Sequence, residues 1–203
     1  FFRSFFLIGQ ASMRTFFNLV PWVLLFLVPA MSMRSWSEEK KLGTLDFLLT
    51  FPIHDYELVI GKFLASLLLL SLTILETFPL AICVILLGSP DIGPIITSYI
   101  GAILLGASYL AIGFFISSLT RNQIIAFILS IILCFFSYLL AHDMLAYALP
   151  DIIIPILSSF SLGYHYESIS KGIIDLGDIV FYISFIGFFL YLNVTVLSSR
   201  KLK

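Results

Sequence analysis

Five long apolar runs constrain this chain more than any other feature: Phe16 to Met33, Leu58 to Leu87, Ile95 to Leu119, Ile124 to Ala141 and Ile179 to Leu197. Each is long enough for a helix to cross a hydrocarbon core, which takes roughly 20 mostly apolar residues. Inside a bilayer the backbone must satisfy its own hydrogen bonds, which leaves helices as the solution for runs of this length. With 60% hydrophobic and 11% charged residues and a mean hydropathy of +1.09, the composition lies outside that of soluble domains. The expected fold is all-α: one polytopic transmembrane domain over residues 1–203, five spans in this chain, with the lipid bilayer as its solvent.

Orientation follows from the basic residues, which are enriched in cytoplasmic loops. Arg34, Lys40, Lys41, Lys62, Arg121, Arg200, Lys201 and Lys203, eight of the 11, fall on one side. Arg3, Arg14 and Lys171 fall on the other, together with Asp91, Asp143, Asp151, Glu167, Asp175 and Asp178. This bias predicts a cytoplasmic carboxyl terminus in the cytoplasmic (inner) membrane and an outer segment over 142–178, re-entrant or interfacial. Five spans then put Phe1 outside, where a chain needs a signal peptide or an earlier span to carry it across. Neither is visible, so an upstream span and a native count of six are expected.

Several runs carry internal punctuation. Pro21 and Pro29 lie within the first span, and each removes a backbone donor and frees the carbonyl four residues earlier. The second run holds 30 residues, roughly 45 Å of helix against about 30 Å of hydrocarbon. A helix capped by Asp55, starting near Tyr56 and bending near Pro79 accommodates that length. In the third span, Ala102 and Gly106, Ala107 and Ala111, and Gly113 and Ser117 are each four apart, a spacing that lets helix backbones approach closely. That stripe suits ordinary packing within one bundle, or a contact with another subunit.

Between the first two runs lies the one strongly charged segment, residues 34–57, which the charge bias places in the cytoplasm. Ser37 can cap a helix whose first turn holds Glu38 and Glu39, where negative charge complements the helix dipole. Leu42, Leu45, Leu48 and Leu49 then recur at helical spacing until Pro52 forbids continuation. The pattern predicts a short amphipathic surface helix. A helix that rests on lipid is more often basic, whereas Glu38, Glu39, Asp46, Asp55 and Glu57 dilute the positive charge here, which favours a protein partner.

The remaining polar residues are sparse. Glu76 sits deep in the second run, a position where an ionisable group is costly and usually faces the bundle interior. It is a candidate intramembrane polar site, either a substrate or gate contact or a carboxyl hydrogen-bonded to a neighbouring span. His142, Asp143, His165 and Glu167 match no metal-ligand spacing and are expected as solvated loop residues, so no metal is expected. Cys83 and Cys134 lie in apolar runs and suggest neither a disulfide framework nor a zinc site. Scattered basic residues give no nucleic-acid footprint.

The segment EEKKLGTLDFLLTFPI from Glu38 to Ile53, followed by ELVIGK from Glu57 to Lys62, resembles type-2 ABC exporter permeases. In that pattern an acidic residue precedes Gly43 and Thr44 and a leucine-rich turn ends in proline. GQASMRTFF from Gly9, YLAIG from Tyr109, SLTRNQ from Ser118 and HYESISKG from His165 are similar to the gliding-motility-type branch. The resemblance implies six spans per permease, a coupling helix docked on an ATP-binding cassette ATPase, short outer helices before the last span, and a second permease chain in a homodimer or heterodimer. On that basis the coupling residues are Glu38, Glu39, Gly43, Thr44, Leu45, Leu48, Leu49 and Pro52, with ATP and magnesium held by the partner subunit. The chain has no G-x-x-x-x-G-K-[ST] phosphate loop, so it is expected to be a transport subunit and not an enzyme. The rival classes are a secondary transporter or channel, which would show repeats or several buried charges, and an intramembrane hydrolase, which would need a base that no span supplies.

Overall fold

The computed structural model describes residues 13–48, 53–88, 90–140, 154–173 and 175–201. Among these residues the chain is helical and contains no strand, in keeping with an all-α polytopic membrane protein. Four helical stretches are long and apolar enough to cross a membrane: Arg14–Leu42, Asp55–Leu87, Ile92–Leu119 and Leu176–Ser199. The fifth apolar run forms a helix over Gln123–Leu139, 17 residues long, at about 25 Å near the lower limit for a span.

The first stretch comprises α1 (Arg14–Ser32) and α2 (Arg34–Leu42). Met33 between them keeps right-handed helical dihedrals, and its N–H bonds the Pro29 carbonyl. The charged segment therefore continues the first span directly. Ser37 does not cap a new helix as the sequence suggested: its hydroxyl donates back to the Met33 carbonyl. A left-handed Gly43 (φ 73°) ends α2, and α3 (Thr44–Leu48) follows.

Helix α4 (Asp55–Leu75) starts as expected, but its N-cap residue is His54, and the Glu57 carboxylate accepts the His54 N–H at 3.1 Å. Asp55 is instead the first helical residue. The long run is interrupted at Glu76 and Thr77, where α4 gives way to α5 (Phe78–Leu87). Pro79 occupies the first turn of α5, where its missing donor does no harm.

Helix α6 (Ile92–Leu119) is the axis of the bundle, with Leu105, Tyr109, Leu110, Ile112 and Phe114 fully buried. Its small residues explain how. A methyl group added at Gly106 would lie 2.6 Å from Leu70 Cδ2, one at Gly113 2.7 Å from Ser32 Cβ, and one at Gly101 3.1 Å from Ile169 Cγ2. Gly106 and Gly113 of the small-residue stripe thus seat α4 and α1 against α6, the intra-bundle reading of that pattern, and Gly101 beside it seats a later helix. Helix α7 (Gln123–Leu139) packs on α6 through buried Ala126, Ser130 and Cys134.

Helices α8 (Ile154–Ser159) and α9 (Leu162–Ser170) precede the last helix, α10 (Leu176–Lys201). Residues 141–153, with His142 and Asp143, lie outside the described residues. Helix α9 is stitched to four others at one end of the bundle. Tyr166 donates to the Phe17 carbonyl at 2.8 Å, the very carbonyl that Pro21 leaves without an intrahelical donor. Ser161 donates to the Tyr138 carbonyl at 3.1 Å, Tyr182 donates to the Leu162 carbonyl at 2.9 Å, and Ser98 to the Ser170 carbonyl at 3.4 Å. Burial in this cap, with Tyr138 adding to it, pushes the Tyr166 phenol well above its ordinary range.

Candidate functional site

The charged segment sits at the other end of α6 from this cap, and the chain fastens it there. Ser117 Oγ accepts from the Trp36 and Ser37 N–H groups at 3.1 Å each and donates to the Met33 carbonyl at 3.0 Å. One hydroxyl thereby satisfies three backbone groups at the junction of α1 and α2. Lys40 is buried, and its ammonium donates to the Ser118 carbonyl. That carbonyl belongs to the last turn of α6, which has no intrahelical donor and carries the negative end of the helix dipole.

A second fastening joins the segment to α4. The Lys62 ammonium lies 4.1 Å from the centre of the Trp36 ring, donates to the Ser35 carbonyl at 3.1 Å and pairs with the Glu39 carboxylate. Trp36 is fully buried and meets Phe114 edge to face, with ring centres 6.4 Å apart. A half-buried cation over an indole is a favourable form of that contact. Lys62 and Trp36 are the residues that the sequence reading missed as site members. Their signal was present in a lysine one turn into an apolar helix and a tryptophan at the start of a charged one.

The expected coupling residues divide into two groups. Glu38 is half-buried, and Glu39 turns inward to Lys62. Gly43 and Thr44 are exposed; the Gly43 N–H and the Thr44 hydroxyl both reach the Glu39 carbonyl, the latter at 3.4 Å. Leu45 is buried within this chain at 2% exposure, so it is not part of an outward leucine face. The reason is Gly43, whose left-handed backbone breaks the 3.6-residue period on which that face was drawn. Leu48 is half-buried, and Leu49 and Pro52 lie outside the described residues. The outward apolar side chains are Leu42 and Phe47, each 68% exposed. Close by in sequence, Ile53 is exposed and His54 stacks on Tyr56 with ring centres 5.3 Å apart.

Away from this elbow the polar candidates separate. Glu76 faces outward from the bundle and not into it. His165 is no solvated loop residue: its Nδ1 lies 2.6 Å from Asp178 Oδ1, its Nε2 3.2 Å from the Ser159 carbonyl, and its ring stacks on Phe181. Glu167 is exposed and pairs with Lys171 at 3.6 Å. No group of three or more His, Cys, Asp and Glu residues among the described residues could hold a metal.

A bundle of membrane-length helices, with a charged helical elbow continuous with one of them, defines a polytopic helical membrane protein. The chain matches the family described as ABC-2 family transporter protein over residues 10–202, nearly its whole length, and belongs to that family. It is a transmembrane subunit of an ABC transporter, a component that is generally not itself catalytic and that works with an ABC ATPase subunit in the membrane. None of the curated proteins compared with the chain matches it.

Proposed function

We propose that this permease is the transmembrane half of an exporter of the gliding-motility-type branch, and that its α2–Gly43–α3 elbow is the cytoplasmic docking point for a separate ATPase. ATP and magnesium are held by that partner. A second permease chain completes the path, and the carboxyl terminus lies in the cytoplasm. The observation that carries the reading is the elbow itself: Leu42 and Phe47 point outward from a segment fixed to α6 through Ser117 and Lys40 and to α4 through Lys62.

That arrangement suits the transmission of force. A displacement of α2 reaches α1 through continuous helix, α6 through the Ser117 hydroxyl, and α4 through the Lys62 ammonium. Each of these links is a direct contact, so movement of a docked ATPase would tilt three spans together. The outer cap over α9 ties the far ends of α1, α6, α7 and α10, which makes it the natural fulcrum. Work is done by ATP binding and hydrolysis on the partner, while this chain supplies binding, leverage and a path.

Affinity purification of the tagged permease from native membranes tests the reading. An ATP-binding cassette subunit should co-purify and be lost on Leu42→Asp with Phe47→Asp, while the permease stays at its usual level in the membrane. Retention of the ATPase by that double variant, or the absence of any such subunit from the parent, contradicts the proposal.

A further inference from the structure

Among the described residues, Arg14 and Lys171 are the two Arg or Lys side chains at the α9 end of the bundle. One opens α1 and the other closes α9, yet both line the same cavity of about 290 Å³. That volume lies at the small end of ligand pockets, roughly 300–1,000 Å³. Buried Phe17, Ile95 and Ser98 also line the cavity, as does Pro94. Asp91 is the third charged side chain in it, and one of its carboxylate oxygens accepts the Gly93 N–H at 3.1 Å as the cap of α6.

The backbones that carry the two cations are fixed. Ser98 donates to the Ser170 carbonyl at 3.4 Å, and the Lys171 and Gly172 N–H groups donate to the Ser168 and Ile169 carbonyls at 3.2 and 3.1 Å. Gly172 then turns with a φ of 93°, a conformation that suits glycine, and a methyl group there would lie 3.2 Å from Pro94 Cγ. Arg14 lies one turn before Phe17, whose carbonyl accepts from Tyr166 of the same α9. The charged ends keep capacity for a ligand. The Lys171 ammonium meets Glu167 at 3.6 Å, beyond ordinary hydrogen-bond distance, and the Arg14 guanidinium has five N–H donors.

We propose that this cavity binds an anionic phosphoryl group, with Arg14 as a planar, bidentate donor and Lys171 as a second, compact charge. The cavity lies where α1 and α6 begin, at the level where apolar helix gives way to the membrane interface. Basic pockets between spans are a recurring way to hold lipid headgroups. A phospholipid headgroup and free phosphate offer the same group to it. Bound there, the anion bridges the start of α1 to the turn after α9 and tightens the cap. Asp91 opposes the anion by like charge, so the site is tuned below its full strength. The inference goes beyond the docking of an ATPase and does not depend on it.

Two arms on the purified permease test the site. Native mass spectrometry after release from mixed micelles of phosphatidylglycerol and phosphatidylcholine reads retained anionic lipid. Thermal unfolding in inorganic phosphate against chloride at equal ionic strength reads the free anion. Binding in the lipid arm alone assigns the headgroup, and binding in the phosphate arm assigns the free anion. In whichever arm the parent binds, Arg14→Gln with Lys171→Gln should weaken binding at least fivefold, while Lys41→Gln, at an exposed position at the other end, should leave it unchanged. Asp91→Asn should strengthen binding at least twofold with α6 still capped, since Asn caps as well as Asp; misfolding cannot produce a gain. No binding by the parent in either arm overturns the proposal, as does indifference to the double substitution, an equal loss in Lys41→Gln, or no gain on Asp91→Asn.

Discussion

Replacing Lys62 by methionine should loosen the joint between α2 and α4 while leaving both helices formed. Methionine keeps the unbranched stem against Trp36 and removes only the ammonium. Three interactions go with it: the contact over the Trp36 ring at 4.1 Å, the hydrogen bond to the Ser35 carbonyl at 3.1 Å, and the Glu39 ion pair. A cation over an indole is worth roughly 0.5–2 kcal/mol, and a hydrogen bond from a charged donor about 1.5–3 kcal/mol. The Lys62 and Glu39 side chains are 25% and 23% exposed, so their pair contributes modestly, on the order of 0.5–1 kcal/mol. Because these contributions share one group they do not sum, and a loss of about 2–3 kcal/mol is expected. Glu39→Gln alone should cost about 1 kcal/mol. Unfolding of parent, single and double variants by SDS in mixed micelles completes the cycle, and the coupling energy should be about 0.5–1.5 kcal/mol. ATP turnover stimulated by the permease should fall with Lys62→Met at unchanged ATPase binding, since the dock is intact and its connection to α4 is not. Additivity of the two substitutions within about 0.3 kcal/mol, or full stimulation by Lys62→Met, refutes the joint.

Three further outcomes are expected. Gly113→Ala should destabilise the chain by about 1–3 kcal/mol through overpacking against Ser32, whereas Gly61→Ala, with nothing within 4 Å of the added methyl, should be neutral or gain about 0.5–1 kcal/mol in helix propensity; SDS unfolding compares them. Tyr166→Phe should cost about 1–2 kcal/mol in the parent and far less in a Pro21→Ala background, where residue 21 regains the N–H that serves the Phe17 carbonyl; an equal cost in both would disprove that link. Lys41→Cys and Lys171→Cys, both at exposed positions, should label from opposite faces of sealed vesicles, and labelling of both from the same face would overturn the topology.

The bundle was readable from the sequence because bilayer crossing leaves a long unbroken signature: the runs from Phe16, Leu58, Ile95, Ile124 and Ile179 each correspond to apolar helix. The interruption of the second run was legible too, since Pro79 can only begin a helix or break one. The elbow was less so. Helical periodicity drew Leu42, Leu45 and Leu48 onto one face, but the left-handed Gly43 resets the phase, leaving Leu42 outside and Leu45 within. Ser37 looks like a cap in one dimension, but the helix runs on through Met33 and the Ser37 hydroxyl donates back to the Met33 carbonyl, while Ser117, from a helix 80 residues away, meets its N–H. The inward turn of His165 was hidden for the same reason, because its partner Asp178 belongs to another helix. Periodicity also could not say that Glu76 points outward, as that depends on which face of α4 meets α6.

Photo-crosslinking from single positions in native membranes measures the central claim directly. A photoreactive residue placed at Leu42 or at Phe47 should form adducts with an ATP-binding cassette subunit, identified by mass spectrometry. The same residue at Glu167, at the opposite end of the bundle, should form none, and substitution at buried Leu45 should give little. Adducts at Leu42 and Phe47 alone would establish the elbow as the dock; adducts to lipid only at both positions, or ATPase adducts equally strong at Glu167, would contradict it.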